Sequence, residues 1–130
     1  MTKFFCIETP FVAHCAIEAV KRLPQGVRSR VRLRPELTNS WGGAHGGLIA
    51  TLLDASMTVA ARYEVDPDGL QGVATLDLSV TFIGQGKTEI TCDAKVIGRR
   101  GSMIYLEALA RNEVDDLVAR AIATSRIIGK

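Results

Sequence analysis

Between Gly46 and Ala61 the chain carries a single ionisable side chain, Asp54, in a run of Ala, Leu, Ile, Met and small polar residues. The run holds no proline and few β-branched residues, so Gly46 to Arg62 is predicted to be helical. A helix apolar nearly all round has to be surrounded by other elements. That requirement limits the rest of the chain to something that can wrap it.

The sequence on either side supplies strands. Val27 to Arg34 alternates, with Val27, Val31 and Leu33 against Arg28, Arg30, Arg32 and Arg34, the pattern of a half-buried strand. Ala13 to Arg22 tends toward a strand as well, and Pro24-Gln25-Gly26 is the turn that makes the two a hairpin. Before them, Lys3 to Phe11 suits one or two helical turns that Pro10 would stop. Pro35 to Ala44 reads as a loop.

After the turn Asp66-Pro67-Asp68-Gly69 the period is two. Ala74, Leu76, Leu78, Val80 and Phe82 share one face, and Thr75, Asp77, Ser79 and Thr81 the other. Ile90, Cys92, Ala94 and Val96 repeat the pattern, and strands follow at 103–111 and 117–127. These are consecutive hairpins, hence an antiparallel sheet with one buried face. The expected fold is α+β, a curved antiparallel sheet wrapped around one long helix.

Length and composition agree with one soluble globular domain spanning 1–130. The chain has 130 residues, 47% of them hydrophobic and 23% charged. A net charge of +2 gives no argument for nucleic acid or an anionic membrane as partner. Cys6, Cys15 and Cys92 form neither a disulfide framework nor a zinc motif, which fits a reducing compartment. Lys3 and Glu8 interrupt the start, so no secretory signal is expected. Asn39, the glycines and His45 break the longest uncharged stretch, so no membrane span is expected. A cytoplasmic protein is the expectation.

The chemistry concentrates at the start of the helix. His45-Gly46-Gly47 places two glycines where helix amides lack internal acceptors and the dipole is positive, a setting for an anionic oxygen. Such a helix start, an imidazole, the Asn39 amide and the Asp54 carboxylate together suit attack on a carbonyl. The plainer alternatives are a tight loop-to-helix turn held by His45, and an Asp54 paired with Ser56, Thr58 or an arginine. Gly46 and Asp54 are eight positions apart, roughly 12 Å along a helix. One carbonyl cannot reach both on the same helix. If both act, they come from different subunits, which predicts a two-fold homodimer with two composite sites.

Asn39-x-x-Gly42-x-x-His45-Gly46-Gly47 followed by Leu53-Asp54 resembles the hotdog-fold thioesterases of the phenylacetic-acid-degradation, or PaaI-like, group. The resemblance extends to Pro10-Phe11, to Arg34-Pro35-Glu36-Leu37-x-Asn39 and to Gly72-Val73-Ala74-Thr75. It implies an acyl-CoA thioesterase that needs no cofactor. By resemblance, the Gly46 amide and the Asn39 side chain polarise the thioester carbonyl, and His45 shapes that site. Asp54 of the partner subunit acts as general base or as nucleophile. Thr75 orients the water or the carboxylate, a part for which Asp77 is the alternative; a polar strand residue with no such part is the plainer reading of Thr75. Gly47, Arg99 and Arg100 would meet the coenzyme A portion, the two arginines through its phosphates; solvated turn arginines are the alternative. Dimers are expected to pair into tetramers. A non-catalytic acyl-CoA sensing module of the same fold is the competing function. Met57 and Ala61 are expected to line the acyl pocket.

Other signals point to no further chemistry. Gly84-Gln85-Gly86-Lys87-Thr88 ends like a phosphate loop, but position 81 is Thr81 and a strand follows. No G-x-S-x-G occurs. Two histidines, His14 and His45, give little support for a metal.

Overall fold

The computed structural model describes residues 3–129. Its elements run α1 (Pro10–His14), β1 (Ile17–Leu23), β2 (Gly26–Arg32), a 3-10 turn (Pro35–Leu37), α2 (Gly46–Val65), β3 (Val73–Phe82), β4 (Glu89–Arg100), β5 (Met103–Arg111) and β6 (Leu117–Ile127). The six strands make one antiparallel sheet in the order β1-β2-β4-β5-β6-β3. The expected α+β wrap around a single long helix is what forms.

The four later strands are not all consecutive hairpins as expected: β3 pairs with β6 at the sheet edge, so the Gly84–Thr88 segment is a crossover to β4. The β1–β2, β4–β5 and β5–β6 hairpins close where the sequence has turn chemistry. Leu23 pairs with Gly26 across Pro24-Gln25, and Gln25 takes φ 64, so proline opens the turn and the next residue adopts the left-handed region. Gly26 has to be glycine, because a Cβ there would overlap the Ala94 carbonyl on β4.

Leu48, Ile49, Leu52, Leu53, Met57, Val59, Ala60 and Ala61 of α2 are buried. They face Val27 and Val31 of β2, Ile90, Cys92 and Ala94 of β4, and Ile104, Leu106 and Ala108 of β5, all buried in the same core. Alanines at 94, 108, 110, 119, 121 and 123 supply a low surface on the sheet, which lets a helix lie close against it. Each fully buried Leu or Val contributes about 1.5–3 kcal/mol relative to exposure. The sheet does not cover the helix all round. Gly47, Ala50, Thr51, Asp54, Ala55, Thr58 and Arg62 recur at three- and four-residue spacing and stay exposed or half-buried, forming one open stripe.

Two sequence expectations are corrected at the N-terminal end. Pro10 opens a helix instead of stopping one, since it occupies the first helical position, where its missing N–H costs nothing. Residues 13 and 14 belong to that helix, so β1 begins at Ile17 and not at Ala13.

Strand β3 also departs from strict alternation. Thr75 pairs with Ser125 and Asp77 with Thr124, so Leu76 is an extra residue, a β-bulge. Ser125 and Ala123 are buried, and Leu78 pairs with Ala123. Thr75 therefore lies on the helix side together with Leu78, while Leu76 and Asp77 turn out to solvent. Thr75 and Asp77 do not share a face.

Candidate active site

Asp54 sits on the open stripe of α2, half-buried, opposite the start of β3. The Thr75 hydroxyl donates to its Oδ1 at 2.9 Å. Thr58, one helical turn on, places its hydroxyl 3.5 Å from that of Thr75. Among the described residues, Thr75 is the side chain that hydrogen-bonds this carboxylate. Neither Ser56 nor an arginine does so. Ser56 points to the opposite side, where it is fully buried, donates to the Leu52 carbonyl at 2.6 Å and meets Ser29 at 2.5 Å.

A cavity of about 380 Å³ opens beside Asp54, lined by Ile7, Thr9, Phe11, Val12, Ala50, Thr51, Ala55, Thr58 and Leu78. Its walls are α1 with the segment before it, the open face of α2, and β3. Met57 and Ala61, expected at an acyl pocket, are 1% and 0% exposed and face the sheet core. The correction follows from helical phase: Met57 is three residues from Asp54 but on the inward side of the stripe edge.

At the helix start, His45 is the N-cap and its Nδ1 accepts from the Gly47 N–H at 2.8 Å, satisfying one of the orphan helix amides. The Gly46 and Leu48 amides are paired with no acceptor among the described residues. Gly46 has room in front of it: a Cβ there would only touch the Phe82 ring, at 3.5 Å. Asn39 is engaged in its own loop. Its Oδ1 accepts from the Trp41 and Gly43 N–H groups at 2.9 and 3.2 Å, and its Nδ2 donates to the Ala44 carbonyl at 3.4 Å. Gly42 takes φ +80, a conformation that suits glycine in this tight loop.

Thus β3 runs alongside both halves of the candidate site. Thr75 stands at Asp54 and Phe82 at Gly46. The helix holds those halves eight residues apart, so within one chain they remain separate.

Arg99 and Arg100 are the last two residues of β4, exposed beside Gly101 and Ser102. Arg99 donates from Nε to the Gly101 carbonyl at 3.2 Å. The register places Thr75, Ser125, Ile104 and Arg99 in one cross-strand row. Ile104 is fully buried, so Arg99 is on the helix side of the sheet, three strands and about 14 Å from Thr75. Arg100, opposite Met103, is on the other side. Among the described residues no three His, Cys, Asp or Glu side chains converge as a metal site would require. No helix of the described chain is long and apolar enough to cross a membrane.

A sequence-family model for the thioesterase superfamily matches residues 42–119, more than half of the chain. The chain belongs to the thioesterase superfamily. That match includes Gly46, Asp54 and the whole of β3. The thioesterase-superfamily chain is 33% identical over 81 residues to a Halobacterium salinarum protein whose name marks it as an esterase by inference. The alignment covers 60% of this chain and 53% of that relative, about half its length. The hotdog fold is shared with solved structures. The Escherichia coli PaaI protein of the phenylacetic acid degradation operon superposes with a TM-score of 0.83 at 15% identity, covering 93% of this chain and 86% of that one. The BH2602 protein of Bacillus halodurans, solved with CoA, gives a TM-score of 0.85 at 21% identity, covering 95% and 81%.

Sequence reasoning named Asp54, Thr75, His45 and Gly46 but missed the aromatic and aliphatic wall that the N-terminal segment adds beside Asp54. Ile7, Phe11 and Val12 are ordinary hydrophobic residues in sequence. Only the return of α1 across the open face of α2 puts them at Asp54.

Proposed function

We propose that the chain hydrolyses an acyl-CoA thioester to the free acid and coenzyme A, with Asp54 as the reactive carboxylate. The observation that carries this reading is the Thr75–Asp54 hydrogen bond at the mouth of a largely apolar cavity. It fixes the carboxylate's direction in a place where an acyl group can be held away from water.

In this reading the carbonyl oxygen of the thioester faces the Gly46 N–H, at the positive end of α2. Asp54 takes a proton from water as the water oxygen attacks the carbonyl carbon. The negative charge gathers on the carbonyl oxygen, where a preorganised amide stabilises it. Collapse of the tetrahedral adduct breaks the carbon–sulfur bond and expels the thiolate. The thiol has a pKa of roughly 8.5 by analogy with cysteine, so departure needs no strong acid. The second route open to the same groups is direct attack by Asp54, giving a mixed anhydride that water then cleaves. His45 acts by capping the helix, and Asn39 by holding the loop that leads into Gly46. Gly47, Arg99 and Arg100 are assigned to the coenzyme A portion, Arg99 reaching it from the helix side of the sheet.

The site is proposed to form between two copies of the chain. β3 is an edge strand with one free side and exposed Leu76, Phe82 and Ile83; such an edge invites pairing. Antiparallel pairing about an axis between Leu78 and Ser79 would set Thr75 and Asp54 against the partner's Phe82 and the partner's Gly46. The open stripe of α2 would then be covered, and pairing of such dimers into tetramers would use the outer sheet surface.

Thiol release from aromatic and aliphatic acyl-CoAs tests the activity. Turnover by the wild type that falls by at least about 100-fold in Asp54→Asn, with the same oligomeric state, supports the reading. Equal turnover in the variant overturns it, and tight acyl-CoA binding with no turnover in either protein would favour a sensing module. Mixing Asp54→Asn subunits with Gly46→Pro subunits tests the shared site: hybrid dimers should regain one working centre.

A further inference from the structure

The Gly84–Thr88 turn, half of a phosphate loop by sequence, does hold an anionic group, and that group is the chain's own. Oε1 of Glu113, from the β5–β6 hairpin, accepts from the Lys87, Thr88 and Glu89 N–H groups at 3.0, 2.9 and 3.4 Å and from the Thr88 hydroxyl at 3.2 Å. Successive amides converging on one oxygen form an anion nest. Next to it, Asn112 Nδ2 donates to the Gln85 carbonyl at 2.8 Å. The β3–β4 crossover and the β5–β6 hairpin end are thereby clasped.

The other side of the turn meets the loop before α2. The Ala44 N–H donates to the Gly86 carbonyl at 2.9 Å. A Cβ on Gly43 would come within 3.3 Å of the same carbonyl oxygen, so the two loops are packed closely there. The 39–43 loop otherwise bonds mainly to itself, through Asn39. The Gly86 carbonyl thus ties it to the β3–β4 connection at Ala44, the residue just before His45-Gly46.

We propose that Glu113 is a positioning residue for the Gly46 amide, acting through the Gly84–Glu89 turn and the Gly86–Ala44 hydrogen bond. The inference rests on Gly46 being the oxyanion donor, as argued above. Misplacement of a reacting group by about 1 Å costs up to about 100-fold in rate, so a loosened turn is expected to lower turnover without removing the donor. Glu113 is exposed, so water can solvate the amides that its removal frees, and the variants are expected to fold.

The test compares wild type, Glu113→Gln, Glu113→Ala and, as a control, Glu36→Ala, in the full chain. Two readouts are followed: the backbone amide resonance of Gly46 by NMR, and kcat and KM for acyl-CoA. Glu113→Ala is expected to move the Gly46 resonance and lower kcat about 10-fold with KM within about twofold. Glu113→Gln should fall between it and wild type, and Glu36→Ala should match wild type. A Gly46 resonance left in place, or a wild-type kcat, in Glu113→Ala overturns the proposal even if thermal stability falls. Absence of turnover in the wild type would instead overturn the reading of the site, and the Gly46 resonance would still decide whether Glu113 sets that amide.

Discussion

Thr75 reaches Asp54 at 2.9 Å because Leu76 bulges out of β3. Without the extra residue, a strand that buries Leu78 would turn Thr75 to solvent and leave the carboxylate with no side-chain donor. Bulges near reactive groups re-aim side chains in this way. Thr75→Val keeps the shape and removes the hydroxyl. It is expected to lower kcat about 10-fold with the midpoint of thermal unfolding nearly unchanged, because Asp54 is accessible to water. Steady-state thiol release and calorimetry check both halves of this expectation.

The His45 cap makes a prediction about stability. His45→Ala removes the acceptor at 2.8 Å from the Gly47 N–H and should cost about 1 kcal/mol in urea unfolding, with His45→Asn recovering most of it. Gly47→Ala acts on the same contact from the other side. Its Cβ would stand 3.0 Å from His45 Nδ1 and displace the ring.

Behind the helix, Ser29, Ser56 and Cys92 are fully buried between α2, β2 and β4. Ser56 donates to Leu52, so in the Ser29–Ser56 contact the donor is Ser29. Ser56→Ala therefore strands a buried hydroxyl and should cost about 1–3 kcal/mol. The double variant Ser29→Ala/Ser56→Ala should cost less than the sum of the two single changes, measured as a cycle by denaturant unfolding. Burial pushes the Cys92 thiol up to about 12. A thiol reagent at pH 8 should label half-buried Cys6 first and leave Cys92 unmodified in the native protein, as mass spectrometry of the labelled peptides would show.

Acid should loosen the clasp at Glu113. Backbone N–H groups of Thr88 and Lys87 hold its carboxyl down at about 2, against an ordinary 4.5. A carboxyl with a lowered folded-state pKa adds stability that is complete above about 4.5 and is lost as pH falls toward about 2. Stability of the wild type should thus drop more steeply through that window than stability of Glu113→Gln. Urea midpoints measured from pH 6 down to about pH 2 give the comparison.

Much of this protein was legible in its residues alone. Alternation of apolar and polar side chains set β2 and the four later strands, because a sheet with one buried face repeats every two residues whatever lies around it. The apolar run with its lone Asp54 set the central helix, and His45-Gly46-Gly47 set its start. Tertiary structure decided what local pattern cannot encode. The bulge at Leu76 leaves no mark in Leu76-Asp77-Leu78-Ser79-Val80, whose alternation is unbroken; pairing with β6 is what places Thr75 inward. Pro10 could end a helix or begin one, and only the fold chose. The wall of Ile7, Phe11 and Val12 at Asp54, and the Glu113 carboxylate in the Gly84–Glu89 turn, join residues far apart in the chain. A sequence specifies local periodicity directly, but contacts across long separations exist only once the sheet has closed around the helix.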